Sequence, residues 1–280
     1  MKWQRGYQSS NVEDRRGSGG GRMPGGRLGL GAIVILLLLS IVCKRDFLSL
    51  AGGMAGDAPM SGAAGEPVST PAEDSTKQFV SFVLDDAQQT WAAIFASNNT
   101  AYRDARLILF RDGVQSACGF AESATGPFYC PGDSQVYIDL GFYDELRDRF
   151  GAPGDFAEAY VLAHEIGHHV QRLTGTEAEV RRAQQRDPTR ANQYSVALEL
   201  QADCYAGIWA SSAQSRGLLD VGDIDEGLGA AASVGDDRIQ RMGGGYVNPD
   251  AFTHGSAADR AAWFKRGLES GDPASCELQR

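Results

Sequence analysis

His164-Glu165-Ile166-Gly167-His168 is the segment of this 280-residue chain whose residue types and spacing could do chemistry. On a helix, positions i and i+4 lie one turn apart on one face, so imidazoles at His164 and His168 can point at one ion. This His pair is a known zinc-binding arrangement, and Glu165 projects beside it, placed to take a proton from a water at the metal. The surroundings support a helix. Pro153 and Gly154 break the chain, Asp155 can cap it with Glu158 three places on, and Gly175 supplies a stop. Ala163, Ile166, Gly167 and Val170 give the small or apolar neighbours that a buried helix needs. The plain alternative is a helix with two surface His. Against it, the chain has only four His and three lie here.

Two His do not complete a catalytic zinc site, which usually takes three protein ligands and keeps one position open. His169 points about 100° away from His168 and reads as a neighbouring structural residue. The third ligand is therefore expected from a later element. SVALELQADCYAGIW at 195–209 has a helical pattern in which Glu199 and Asp203 are again i and i+4. Glu199 is the expected ligand. Asp203, one turn on, can accept the free ring N–H of a ligating His and fix its tautomer. The alternative is a pair of solvated carboxylates, which the apolar neighbours Leu198, Leu200 and Ala202 argue against.

These parts imply metal-assisted hydrolysis. Zinc would acidify water and polarise a carbonyl, with Glu165 as general base. The remaining His, His254, is the candidate second donor to the developing oxyanion; a structural, hydrogen-bonded His is the other reading, and Arg260 is a weaker candidate. A strand near Val136–Leu140 could line the cleft and take an extended peptide by strand addition.

Further elements must position these residues. Apolar positions from Phe79 to Phe95 suggest an amphipathic helix from Ser75 to Ser97. Strands are expected at 105–110, near 114–120, near Phe128–Cys130 and over 134–143, and helices at 155–173 and 192–214. Strands followed by helices indicate an α+β fold. Cys118, Cys130, Cys204 and Cys276 form an even set, suggesting two disulfides in an oxidising compartment. Cys118 with Cys130 closes a short loop and leaves Cys204 with Cys276; four thiols, or a thiol metal site, are the alternatives, though no Cys-x-x-Cys spacing occurs.

Charge divides the chain. Residues 1–45 carry eight Lys and Arg against two Asp and Glu, a net of +6, and residues 46–280 carry 18 against 34, a net of −16. So acidic a main part excludes general nucleic-acid binding. Residues 28–43 are sixteen uncharged residues between Arg27 and Lys44. That is slightly short for a span of roughly 20, a deficit that snorkelling can cover. A long basic leader and the lack of an Ala-x-Ala site favour an uncleaved signal anchor over a cleaved signal. The expected organisation is a cytoplasmic basic, Gly-rich tail at 1–27, a transmembrane anchor at 28–43, a flexible tether at 44–75 and a zinc domain at 76–280. The positive-inside rule puts that domain outside the cytoplasmic membrane, in the periplasm or beyond.

NVEDRRG at 11–17, ACGFAESATGPFYCPGDSQVYIDL at 117–140, HEIGHHVQ at 164–171, ELQADCYAG at 199–207 and THGSAADRAAWFKRG at 253–267 together resemble the bacterial neutral zinc metallopeptidase family with one amino-terminal anchor. The resemblance implies a zincin-like fold, with His164, His168 and Glu199 as zinc ligands and Glu165 as catalytic base. The expected activity is membrane-anchored hydrolysis of peptide or protein substrates. The competing expectations are a zinc amidase acting on cell-wall peptide and a zinc-stabilised, non-catalytic binding or scaffold protein.

Overall fold

The computed structural model describes residues 1–17 and 69–278. The anchor expected at 28–43 and most of the tether expected at 44–75 lie outside the described residues. Among the described residues, no helix is long and apolar enough to cross a membrane.

The first helix, α1 (Pro71–Ser97), begins four residues before the expected start. Thr70 is its N-cap: the Thr70 hydroxyl accepts the Glu73 N–H at 3.2 Å, and the Glu73 carboxylate accepts the Thr70 N–H at 2.8 Å. Pro71, whose missing N–H would be unpaired there anyway, fills the first helical position. The apolar stripe Phe79, Val83, Ala87, Trp91 and Phe95 recurs every fourth residue and is buried.

Strands β1 (Val12–Asp14), β2 (Arg106–Phe110), β5 (Phe128–Cys130) and β6 (Gln135–Asp139) form one mixed sheet in the order β1-β2-β6-β5. β1, β2 and β6 run parallel, and β5 runs antiparallel to β6. β2 is buried on both faces: Leu107 and Leu109 join the main core under α1, while Ile108 and Phe110 pack with Tyr137 in a smaller one. A separate hairpin, β3 (Gly113–Ser116) and β4 (Gly119–Glu122), is tied to the end of β5 by the Cys118–Cys130 disulfide. The strand expected over 134–143 ends at Asp139. Its carboxylate accepts the Gly141 N–H at 2.9 Å, turning the chain into α2 (Gly141–Asp148).

The tail expected to stand apart at 1–27 does not do so over its described part. β1 pairs with β2 in register Val12↔Leu107 to Asp14↔Leu109, and Arg15 N–H donates to the Leu109 carbonyl at 2.7 Å. The reason is that β2 would otherwise present a bare apolar edge. Asp85 of α1 accepts hydrogen bonds from Tyr7 and Ser9, and the Met1 amino group lies 2.8 Å from Asp155.

The second layer is helical: α3 (Asp155–Thr174), α4 (Thr176–Arg186), α5 (Ala191–Ser215), α6 (Asp223–Ser233), α7 (Asp236–Met242) and α8 (Ala257–Ser270). The order of strands then helices makes the fold α+β, as expected. Gly175 ends α3 in a left-handed conformation, φ 85°, as the sequence suggests. The expected Asp155 cap is replaced by Gly154, and the Asp155 carboxylate turns to the Met1 amine instead. Cys204 on α5 is bonded to Cys276 beyond α8, so both expected pairings are present.

Candidate functional site

Gly167 explains how the two central helices bring their side chains together. A Cβ at Gly167 would stand 2.9 Å from the Ala202 carbonyl oxygen and 3.0 Å from its Cα, so α3 and α5 cross almost backbone to backbone there. His164 and His168 flank that crossing on α3, and Glu199 and Asp203 flank it on α5.

The crossing assembles a three-donor cluster. His164 Nε2 lies 3.2 Å from one Glu199 carboxylate oxygen, and His168 Nε2 lies 3.5 Å from the other. Ligand atoms of His164, His168 and Glu199 all fall within 4.8 Å of one another, a spacing that can hold a metal ion. The other nitrogen of each ring is committed. His164 Nδ1 donates to Asp203 Oδ1 at 2.8 Å, and His168 Nδ1 donates to Gln171 Oε1 at 2.9 Å. These bonds set both tautomers so that both Nε2 lone pairs face Glu199. Two imidazoles and a carboxylate with tautomers fixed from behind fit a zinc ion.

Asp203 is fully buried and saturated with donors. Besides His164 it accepts Arg260 Nε at 2.8 Å, Arg260 Nη2 at 2.9 Å and the Tyr160 hydroxyl. Burial alone would push this carboxyl up, but the Arg260 guanidinium and His164 outweigh burial and hold it below the usual carboxylate range. Burial, opposed by Arg260, raises the Tyr160 phenol well above its ordinary value, so it stays a neutral donor. Gln171, also fully buried, donates its amide N–H to the Leu198 carbonyl at 2.7 Å and to Gln201 at 3.1 Å.

The cluster opens into a cleft of about 860 Å³ whose wall includes His164, Glu165, His168, Glu199, His254 and Arg260. All but Asp203 of the non-cysteine residues expected at the site line it; Asp203 sits behind. Glu165 is only 7 % exposed, and its carboxylate has no hydrogen-bond or ion-pair partner among the described residues. His254 is half-exposed, with Nδ1 3.1 Å from Asp236 Oδ1. Asp236 Oδ2 also accepts the backbone N–H groups of Thr253, His254 and Gly255 at 2.7, 2.6 and 3.0 Å, which fixes the turn that carries His254. Both readings of His254 thus have a basis: it is held by a carboxylate, and it faces the cleft.

The strand along the cleft is β5, not the expected Val136–Leu140. β6 is paired on both sides, by β2 and β5, so it has no free edge, while Phe128 and Tyr129 of β5 line the cleft. His169 joins this strand to α3. Its Nε2 donates to the Arg103 carbonyl at 2.6 Å, and its Nδ1 accepts the Tyr129 hydroxyl at 3.0 Å. Burial lowers the His169 pKa, keeping it neutral for these two roles.

Gln171, Tyr160, Asp236 and Tyr129 were not expected at the site. Gln171 carried a signal, since it lies at i+3 from His168 on the same face. Asp236 carried none, being eighteen residues from His254 in sequence.

Comparison with known proteins accords with this geometry. Residues 1–278 match the family described as "Putative neutral zinc metallopeptidase". The chain is similar to "Uncharacterized protein YpfJ" of Escherichia coli K12, 46% identical over 286 aligned residues, covering 99% of this chain and 98% of that protein. It is also similar to "Uncharacterized protein Rv2575" of Mycobacterium tuberculosis H37Rv, 47% identical over 187 residues, covering 63% of this chain and 62% of that one. No solved structure matches it. The chain belongs to this zinc metallopeptidase family.

Proposed function

We propose that this protein hydrolyses peptide bonds at a zinc site formed by His164, His168 and Glu199, with Glu165 as general base. The observation that carries the reading is the pair of Nε2 atoms facing the two oxygens of Glu199, each ring anchored from behind. When bound, zinc would acidify the attacking water and polarise the scissile carbonyl. Glu165, unpartnered in the cleft, takes the water's proton and passes it to the leaving amine. His254, backed by Asp236, donates to the carbonyl oxygen as it gains charge. The free edge of β5 holds the substrate extended by strand addition, which places its scissile bond over the metal ligands.

Glu165→Gln tests the chemistry. The variant is expected to fold and bind zinc stoichiometrically, yet to lose hydrolysis of unfolded protein and peptide mixtures. If zinc-loaded wild-type protein cleaves none of these, the peptidase reading fails. Turnover of cell-wall peptide alone would select amidase action. A purely structural zinc would need no base beside it and would normally recruit a fourth protein ligand; among the described residues, this cluster offers three.

The proposal extends to location: attachment to the cytoplasmic membrane through 28–43, the amino terminus inside and the catalytic domain outside. The charge split and the two disulfides support it. A single crossing places residues 1–17 opposite the domain, so this orientation requires β1 to be undocked. Ser10→Cys decides between them, because Ser10 is exposed when β1 is docked. Protection from an impermeant thiol reagent in intact cells supports the orientation, and labelling from outside overturns it.

A further inference from the structure

The cleft does not end at the metal ligands. Past the carboxyl end of β5 it continues, by way of Pro131, Glu177 and Arg181, into a second concavity of about 750 Å³. Three guanidinium groups converge there: Arg172 from the last turn of α3, and Arg181 and Arg182 from α4. Among the described residues, Glu177 is the one carboxylate in its wall, and it is already engaged by Arg181 and, at 4.0 Å, by Arg172. Arg182 has no carboxylate partner among the described residues. The concavity thus carries an excess of two positive charges within a segment, 46–280, whose net charge is −16.

We propose that this basic concavity is a subsite for a carboxylate of the peptide substrate, supplied by an acidic side chain on the amino-terminal side of the bond cleaved. The inference rests on the peptidase reading above. Polarity follows from the strand. A peptide added antiparallel to β5 runs against it, so its amino-terminal residues pass Cys130 and Pro131 and enter the concavity. Arginines drawn from two helices onto one groove differ from a solvated charge run on a single helix face. Their planar donors suit a carboxylate. Register along β5 is thereby selected as well as affinity.

Two labelled peptides test this, sharing an apolar carboxyl half and carrying either Glu or Lys in the amino half. With zinc-loaded full-length protein, the Glu peptide is expected to be cleaved at a kcat/KM about tenfold above the Lys peptide. Arg182→Glu, and Arg181→Glu with Arg182→Glu, are expected to bring that ratio to one or below. Equal cleavage of the two peptides by the wild type, or a ratio untouched by both variants, overturns the proposal. So does a preference that vanishes on amidating the peptides' carboxyl ends, which would mean the groove takes the chain terminus. Binding of the same peptides to the Glu165→Gln protein, read by anisotropy, gives the same ratio without turnover. If the wild type cleaves nothing, the peptidase reading falls. A Glu preference in binding that Arg182→Glu abolishes would still uphold the carboxylate subsite, and its absence would remove it.

Discussion

Arg260 and Asp203 meet in the interior through two hydrogen bonds, Nε to Oδ2 at 2.8 Å and Nη2 to Oδ1 at 2.9 Å. Asp203 in turn holds His164. The arginine therefore acts on this cluster chiefly through Asp203, with its Nη2 also 3.3 Å from His164 Nδ1: it lets a buried carboxylate stay ionised behind the imidazole. Arg260→Met is expected to destabilise the fold by about 3–5 kcal/mol, the cost of stranding a buried charge. Asp203→Asn is expected to weaken zinc binding about 10–100-fold and, by stranding the buried Arg260 guanidinium in turn, to cost a comparable loss of stability. Chelator competition and denaturant unfolding measure the two effects; an Asp203→Asn protein with wild-type zinc affinity would remove Asp203 from this role.

Gln171 plays the matching part behind His168. Gln171→Leu takes from the His168 Nδ1–H its acceptor and from Gln201 Oε1 its donor in a buried place. Zinc affinity is expected to fall by about tenfold or more. Gln171→Glu restores an acceptor for the ring and is expected to recover most of that affinity. Equal losses in both variants would show that packing, not ring orientation, is at stake.

Glu158, on α3 one turn and a half before His164, gives stability a pH dependence. Burial, with Asp155 and Asp144 adding repulsion and Arg147 partly offsetting it, raises its carboxyl from 4.5 to about 7. The folded protein therefore binds a proton that the unfolded chain releases at lower pH. Stability falls as pH rises between those two values and stays lowered above them. Glu158→Gln is expected to gain on the order of 2 kcal/mol relative to wild type at pH 8 and little at pH 4, after allowance for its residual exposure. Denaturant midpoints at the two pH values test this; a pH-independent difference would contradict it.

Docking of β1 predicts how the chain tolerates truncation. Removing 1–68 strips β2 of one of its two partners and bares the edge of a strand buried on both faces. The shortened domain is expected to lose on the order of 3 kcal/mol and to self-associate. Joining residues 1–17 to residue 69 through a Gly/Ser linker, in place of 18–68, keeps every contact described for the fold. That protein is expected to stay monomeric and to unfold like the full chain. Equal behaviour of the two shortened proteins would show that β1 contributes nothing.

What was legible in the sequence followed local rules. α3 and α5 were readable within a residue or so at each end, because apolar periodicity and Gly175 mark them. That His164, His168 and Glu199 would come together was readable because they sit on two neighbouring helices, the His pair at helical spacing. β1 was not, since VED has no strand pattern of its own and pairs only because RLILF, some ninety residues later, needs a neighbour. α2 was hidden because GFY continues the aromatic run of β6, while the Asp139 turn that ends the strand is a tertiary event. The start of α1 was misplaced because Ser75 and Thr76 offer plausible caps, whereas the Thr70–Glu73 pair with Pro71 offers a better one.

The crossing of α5 and α8 bears on how the cleft can move. A Cβ at Gly267 would lie 1.9 Å from the Cys204 carbonyl oxygen, and one at Gly207 would lie 2.1 Å from that of Phe264. No layer of side chains separates the two rods, so there is nothing for them to slide on, and the Cys204–Cys276 bond rivets the joint. The floor of the cleft, from Glu199 through Asp203 to Arg260, behaves as one casting. The roof is pinned at both ends: at one, Tyr129 meets His169 and Cys130 meets Cys118, and at the other the Ser123 hydroxyl donates to Asp139 and the Ser123 N–H donates to the Asp112 carbonyl at 2.9 Å. Entry and exit of a chain therefore call on movement of side chains in the cleft rather than on sliding of the two rods.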